Sequence, residues 1–493
     1  MIPRFIGVVF AIGLSISVSA VDRASDAQGI SAQSGQADPT GDLLAQSDAL
    51  SEQALVLYKQ GRYADAEPLL KEAVAIQKAV LGPENPDIAP ALNNLAGIYR
   101  ELGRYADAEA LYRHALEIRE KLLGPNDAAL ASSLNNLAAL FSNQGRYSDA
   151  EPLFRRALAL KEKASGQDDP DVARTLNNLA QLYRLQGLYA QAEPLCKRAL
   201  AILKKALGPD HPDVATGLNN LAQLYWAQAR YEEAEPLFKR ALEIREKTFG
   251  SEHPVVAVSL NGLAELYRVQ GRYAEAEPLY RRALAIREKA LGPDHPDVGM
   301  SLQDMAALEE AQGHYGEAEP LYRRSLAIRE KALGPEHPDV ALILSKQAAL
   351  YREEGRDGEA EPLYVRALAL REKAFGADHP DVGESLNDLA SLYEEQGRYA
   401  KAEPLLRRAL AIAQKGLGPE NADLAASLND LAVLLSYESR YVEAEDLSRR
   451  ALALQEKTLG PNHPDVARTL TNLAVINRVQ GRNGAAEPLY RRA

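Results

Sequence analysis

A glycine returns every 42 residues through most of this chain, and no other feature restricts the fold as much. It stands at 61, 103, 145, 187, 271, 313, 355, 397 and 481, and Ala229 and Ser439 fill the two vacant places. No insertion or deletion breaks the step. A unit this short cannot close a core of its own. Eleven copies in strict register therefore read as one elongated stack, each unit burying its apolar face on its neighbours. A length of 493 residues would by itself suggest several closed domains, but the period overrides that expectation.

Each unit carries two helical stripes. Val172, Leu176, Leu179, Ala180 and Tyr183 fall at spacings of three and four, one face of a first helix, helix A. A Gly-Arg-Tyr turn follows. Ala276, Leu279, Tyr280, Ala283, Leu284 and Ile286 make the matching stripe of helix B. Acidic residues open helix B and Arg-Glu-Lys closes it, which suits the helix dipole. Pro278 lies near its start, where a missing N–H costs little. The link "LGPDHPDV" ends helix B at Gly292. It starts the next helix A with His295 as N-cap, Pro296 as first helical residue and Asp297 in the first turn.

The two ends differ from the array. Residues 1–20 carry one charge, Arg4, then an apolar run from Phe5 to about Val18, and close on Val18-Ser19-Ala20. That is the pattern of a secretory signal peptide, with an uncleaved anchor as the alternative. Residues 21–42 are small and polar and read as a flexible leader. The array then occupies 43–493, and its last repeat stops inside helix B. Export to the periplasm or medium is the expectation, and a bacterial source is inferred from the signal and the style of repeat. One cysteine, Cys196, stands where other units have Tyr or Phe and reads as buried filling.

Catalytic patterns are missing. There is no phosphate loop, nucleophile elbow, HExxH or cysteine pair, and each carboxylate pair recurs in several units, whereas a catalytic pair is singular. Six of the eight histidines sit in the link. Capping accounts for them, because neighbouring helices lie about 8–10 Å apart while zinc ligands lie about 2 Å from the ion. No enzyme, cofactor or metal is expected. A formal charge of −12 argues against nucleic acid as partner, and no second long apolar run implies membrane insertion once the signal is removed.

Leu92-x2-Leu95-Ala96-x2-Tyr99 followed by Ala108-x3-Tyr112 resembles the tetratricopeptide pattern. The 42-residue period, the "LNNLA" box and the "LGPDHPDVA" link are similar to the kinesin light chain type of that repeat. The resemblance implies an all-α, right-handed superhelical solenoid of about eleven helix-turn-helix repeats. It also implies a concave groove lined by helix A and used to hold a protein or peptide. On that groove fall the second Asn of each box, Asn94, Asn136, Asn178 and Asn220, and the position after the helix A Tyr, Arg100, Arg184 and Arg268, with Trp226 in one unit. Asp388 and Asp430 take the Asn place further on, so the groove is expected to be mixed first and acidic between about 300 and 430. Two readings of the Asn residues stay open: they bind a peptide backbone, or they bond between repeats and set the twist. Unit seven, with Met305 for Leu and Glu309 for the core Tyr, is expected to be loose. Beside a peptide-binding scaffold stand two alternatives: a spacer that self-associates through its uncapped C-terminal end, and the regulatory arm of a larger effector.

Overall fold

The computed structural model describes residues 39–416 and 422–493 and contains twenty-two α-helices in eleven antiparallel pairs. Unit 1 is Pro39–Lys59 and Tyr63–Leu81, unit 6 is Pro254–Val269 and Tyr273–Leu291, and unit 7 is Pro296–Ala311 and Tyr315–Leu333. Units 8 and 9 are Pro338–Glu353 with Asp357–Phe375 and Pro380–Glu395 with Tyr399–Gly416. No strand occurs among the described residues. The signal peptide read at 1–20 lies outside them. The first helix starts at Pro39, so it takes in the last residues of the 21–42 leader.

Helix A starts as its sequence requires. His295 is extended (φ −71°, ψ 139°), and its Nδ1 accepts the Asp297 N–H at 3.1 Å. Asn85 and Asp169 do the same with side-chain oxygens. Helix B starts at the Tyr of Gly-Arg-Tyr, which makes Pro278 its sixth residue, beyond the four free N–H groups. The proline therefore removes one backbone bond, a larger cost than its sequence position suggests. The turn glycine is left-handed (φ 70° at Gly61), and Ala229 and Ser439 hold that conformation at φ 55° and 63° despite their side chains.

Neighbouring units meet through two polar joints. On the outer side, the Glu of the helix B "AEP" takes the helix A Tyr hydroxyl and the turn Arg of the next unit. Glu235 accepts from Tyr267 at 3.1 Å and from Arg272 at 2.7 Å, and Arg272 lies 3.9 Å from the Tyr267 ring centre. Glu319 with Tyr351 and Arg356, and Glu361 with Tyr393 and Arg398, repeat it. On the inner side, the Arg of "REK" turns into the protein. Arg287 is 1% exposed and donates to Ser301 Oγ at 2.6 Å and to the Asp297 carbonyl at 3.2 Å. Arg245 to Ser259 and Arg371 to Ser385, both at 2.7 Å, are the same joint.

Unit seven departs from expectation. Glu309 is not an unpaired buried acid, because His314 Nδ1 lies 3.0 Å from its carboxylate, and helix A keeps its full length. What the unit lacks is the outer clamp on unit 6: Glu309 replaces the Tyr and His314 the Arg.

Six units bring the chain back over itself. Turn glycines of the first units lie under helix A starts of later ones. A Cβ on Gly61, Gly103 or Gly145 would meet Pro296, Pro338 or Pro380 Cδ at 2.4, 2.9 and 2.5 Å. At Gly271, Gly313, Gly355 and Gly397 it would meet nothing within 4 Å. His379 Nε2 lies 3.2 Å from the Asn143 carbonyl, 236 residues earlier. The Tyr105 ring stacks on Phe375 at 5.4 Å, and Phe375 stacks on His379 at 4.1 Å. Two superhelical turns are therefore packed along a seam. The helix A faces turned away from helix B look inward, onto the lumen that the turns wind around.

Replacing Arg287 with Ala removes the cation and strands the Ser301 hydroxyl. We expect about 3 kcal/mol of lost stability by urea denaturation. Ala229→Gly relieves the left-handed strain and is expected to raise the unfolding free energy from urea denaturation by about 1 kcal/mol.

Candidate functional site: the luminal wall

Helix A residues away from helix B form the wall, and two Asn in sequence meet different fates on it. In three units the first Asn of the box is buried and bonds to the next unit. Asn135 donates to Thr175 Oγ1 at 3.3 Å, Asn219 to Ser259 Oγ at 3.5 Å and Asn261 to Asp304 at 2.8 Å. The second Asn is half-buried at 94, 136, 178 and 220, and makes no hydrogen bond to any described residue. At 472 it donates to Asn429 at 3.2 Å. The bond between repeats is thus made by the first Asn at 135, 219 and 261 and by Asn472.

The arginines divide differently. Arg184 is half-buried and donates only to Gln181, at 2.9 Å. Its guanidinium is held below the usual range by burial among surrounding protein. Arg100 and Arg268, expected to face a ligand's acids, are buried and occupied. Arg100 pairs with Glu101, which also accepts from Tyr58 at 3.3 Å. Arg268 makes two bonds to Glu265, each 2.8 Å, and Tyr280 adds a third at 2.7 Å. Local sequence carried the signal for this: Glu265 is one helical turn before Arg268. Trp226 is half-buried against the core, at the same level as Arg184.

Two acids of the later units have perturbed ionisation. Asp304 is half-buried, and burial pushes it up to about 7, with Glu265 adding repulsion and Arg287, Arg329 and Arg268 opposing. Burial likewise lifts Glu384 to about 7, against the pull of Arg371 3.4 Å away. Asp388 and Asp430 are half-buried on the same register. The inner Arg ladder runs just behind this wall, so buried cations partly neutralise the acids. "REK" does not announce that its Arg points inward; only the Ser two turns into the next helix A hints at it.

The rest of the surface offers less. Outer charges pair between units, as in Lys289 with Glu252 at 3.1 Å and Arg366 with Glu330 at 2.8 Å. Cys196 is buried and its thiol is pushed up to about 12 by desolvation, which makes it a poor nucleophile. Among the described residues no His, Cys, Asp and Glu gather as metal ligands, and no helix is long and apolar enough to cross a membrane.

A family profile described as "Tetratricopeptide repeat" matches residues 46–121, 87–163, 171–247, 214–289, 255–331, 304–373, 339–415 and 418–493. No curated protein matches. Among solved structures, nearly identical TPR-like repeats of a Podosopora anserina kinesin light chain are 30% identical, over 40% of this chain and 94% of that one, with a TM-score of 0.35. BtubC (BKLC) from P. vanneervenii is 27% identical over 48% and 92%, with a TM-score of 0.37. A Rap protein complexed with Competence and Sporulation Factor is 16% identical over 76% and 99%, with a TM-score of 0.50, a likeness of fold.

Asp304 yields a signed pH prediction. Its folded pKa is raised, so its contribution is full below the ordinary Asp range and is lost as pH climbs through about 7. Asp304→Asn keeps an acceptor for Asn261 and should flatten the pH dependence of the urea midpoint across that window. It should also make the protein more stable than the parent at about pH 8.

Proposed function

This chain belongs to the tetratricopeptide repeat family, and from that premise we propose that it holds an extended peptide or protein segment in its lumen. Proteins of this family serve as interaction scaffolds and are typically non-catalytic. The observation that carries the finer reading is the row of Asn94, Asn136, Asn178 and Asn220, four half-buried amides with no partner in the described chain. An amide presents both a donor and an acceptor, as a peptide backbone does. Spaced one per unit, such groups bind main chain with little demand on sequence. Arg184 adds attraction for an acidic group at the N-terminal end, and Asp388 and Asp430 for basic groups further on. The Rap protein is complexed with Competence and Sporulation Factor, which supports a ligand for this architecture.

A second reading rests on a different observation. Gly313 and Gly355 expose the same turn surface that Gly61 and Gly103 lay against Pro296 and Pro338. A second copy seated there would give a self-associating spacer, and light scattering over a concentration series would reveal it.

We place the protein outside the cytoplasm on the strength of residues 1–20. The deciding experiment is partner capture from an extract of the source cell, with the parent beside Asn136→Glu/Asn178→Glu/Asn220→Glu, circular dichroism having shown equal helicity. A partner retained by the parent and reduced about tenfold or more by the variant supports luminal binding. Equal retention by both overturns it.

A further inference from the structure

The seam between superhelical turns is closed by a titratable ring where an apolar side chain would have sufficed. His295, His337 and His379 hold equivalent places. In each, Nδ1 accepts the N–H of the Asp two residues on, at 3.1, 3.0 and 3.0 Å. That bond puts the ring proton on Nε2, which faces across the seam. His379 Nε2 meets the Asn143 carbonyl at 3.2 Å. The backbones of Lys59 and Glu101 lie opposite His295 and His337 in the same way, without closing a hydrogen bond. All three rings are buried. His211 and His253 make the same cap at 3.2 Å with no earlier turn beneath them among the described residues, and neither is buried. Capping alone is served by Asn85 or Asp169, so the seam is what uses the second ring nitrogen.

We propose that this seam is a proton-operated latch: protonation of His295, His337 and His379 parts the two turns and opens the lumen sideways. The only nitrogen free to take a proton is Nδ1, and it is the cap acceptor. A charged ring there gives up the Asp N–H and sits against the positive end of helix A. Arg287, Arg329 and Arg371 oppose the charge from the preceding helix B. Asp297, Asp339 and Asp381 favour it from the ring's own helix, and from across the seam so do the backbones of Lys59, Glu101 and Asn143 and, at His337, the Glu101 carboxylate. The remaining groups facing the rings from the earlier turn are Tyr63 and Tyr105, whose hydroxyls burial keeps neutral. Burial dominates, and all three histidines are held below their ordinary range. A folded pKa below the unfolded one means the seam is fully held above the ordinary histidine range and weakens as pH falls through it. The latch itself stands apart from the peptide reading; only its use in admitting a ligand rests on that reading.

Small-angle scattering of the full chain at about pH 7.5 and about pH 5, with circular dichroism alongside, tests it. The expected result is a larger radius of gyration and maximum dimension at the lower pH with helicity unchanged. His295→Asn/His337→Asn/His379→Asn keeps a cap of the kind Asn85 makes but cannot reach the opposite carbonyl, so it should be expanded at both values. His211→Asn/His253→Asn should titrate like the parent. Dimensions of the parent that do not change between the two values overturn the proposal, as does a folded triple variant as compact as the parent at about pH 7.5. If the triple variant loses helicity, the parent's own titration decides. None of these readouts requires a ligand, so failure to find a partner would leave the result intact.

Discussion

Everything in this superhelix depends on the angle at which helix B of one unit meets helix A of the next. Apolar packing brings the two together but is tolerant of rotation, since Ala and Leu surfaces slide at little cost. A buried guanidinium is not tolerant. Arg287 has left water, so its bonds to Ser301 and the Asp297 carbonyl must be made, and they are made in one geometry only. The same joint at Arg245 and Arg371 copies that angle along the stack. A small error per unit would accumulate over six units, yet Pro338 still arrives within touching distance of Gly103. Where Leu203 and Ala413 replace the arginine, the outer clamps of Glu193 on Arg230 and of Glu403 on Arg440 remain.

That closure changes what the interior can do. An open solenoid offers a groove to folded partners and peptides alike. A solenoid whose turns touch has its inner face screened along the seam. Inside it, desolvation shapes the chemistry more than formal charge does: Asp304 and Glu384 sit near neutrality in their ionisation, and buried arginines stand behind them. The outer surface, by contrast, spends its charges on ion pairs between units, each of small value. The wall's free capacity lies in its amides.

Much of this was legible in the residues. The period, the two stripes, the helix starts at His-Pro-Asp and the left-handed glycine turn follow from local rules that need no tertiary context, and the all-α solenoid follows from the period. The second Asn of each box was found because a repeated polar residue on a helix face asks for a partner. The first Asn was not told apart from it, since they differ only in which neighbour the helix rotation offers. Arg100 and Arg268 looked available because sequence shows a side chain's charge and not what has already claimed it. The inward Arg of "REK" looked like dipole compensation, and the histidines looked like caps alone. Both have a second role created by units far away in the chain, and no pattern within 42 residues can display it. Glu309 looked costly until His314 was placed beside it.

The seam also governs how such a chain can lengthen or shorten over generations. A single inserted residue would rotate every later unit and carry His379 away from Asn143, whereas loss or gain of a whole unit would bring an equivalent turn under an equivalent helix start. Recombination between near-identical repeats is therefore tolerated by the architecture, and slippage of one codon is not. The protein's length is quantised by its own geometry.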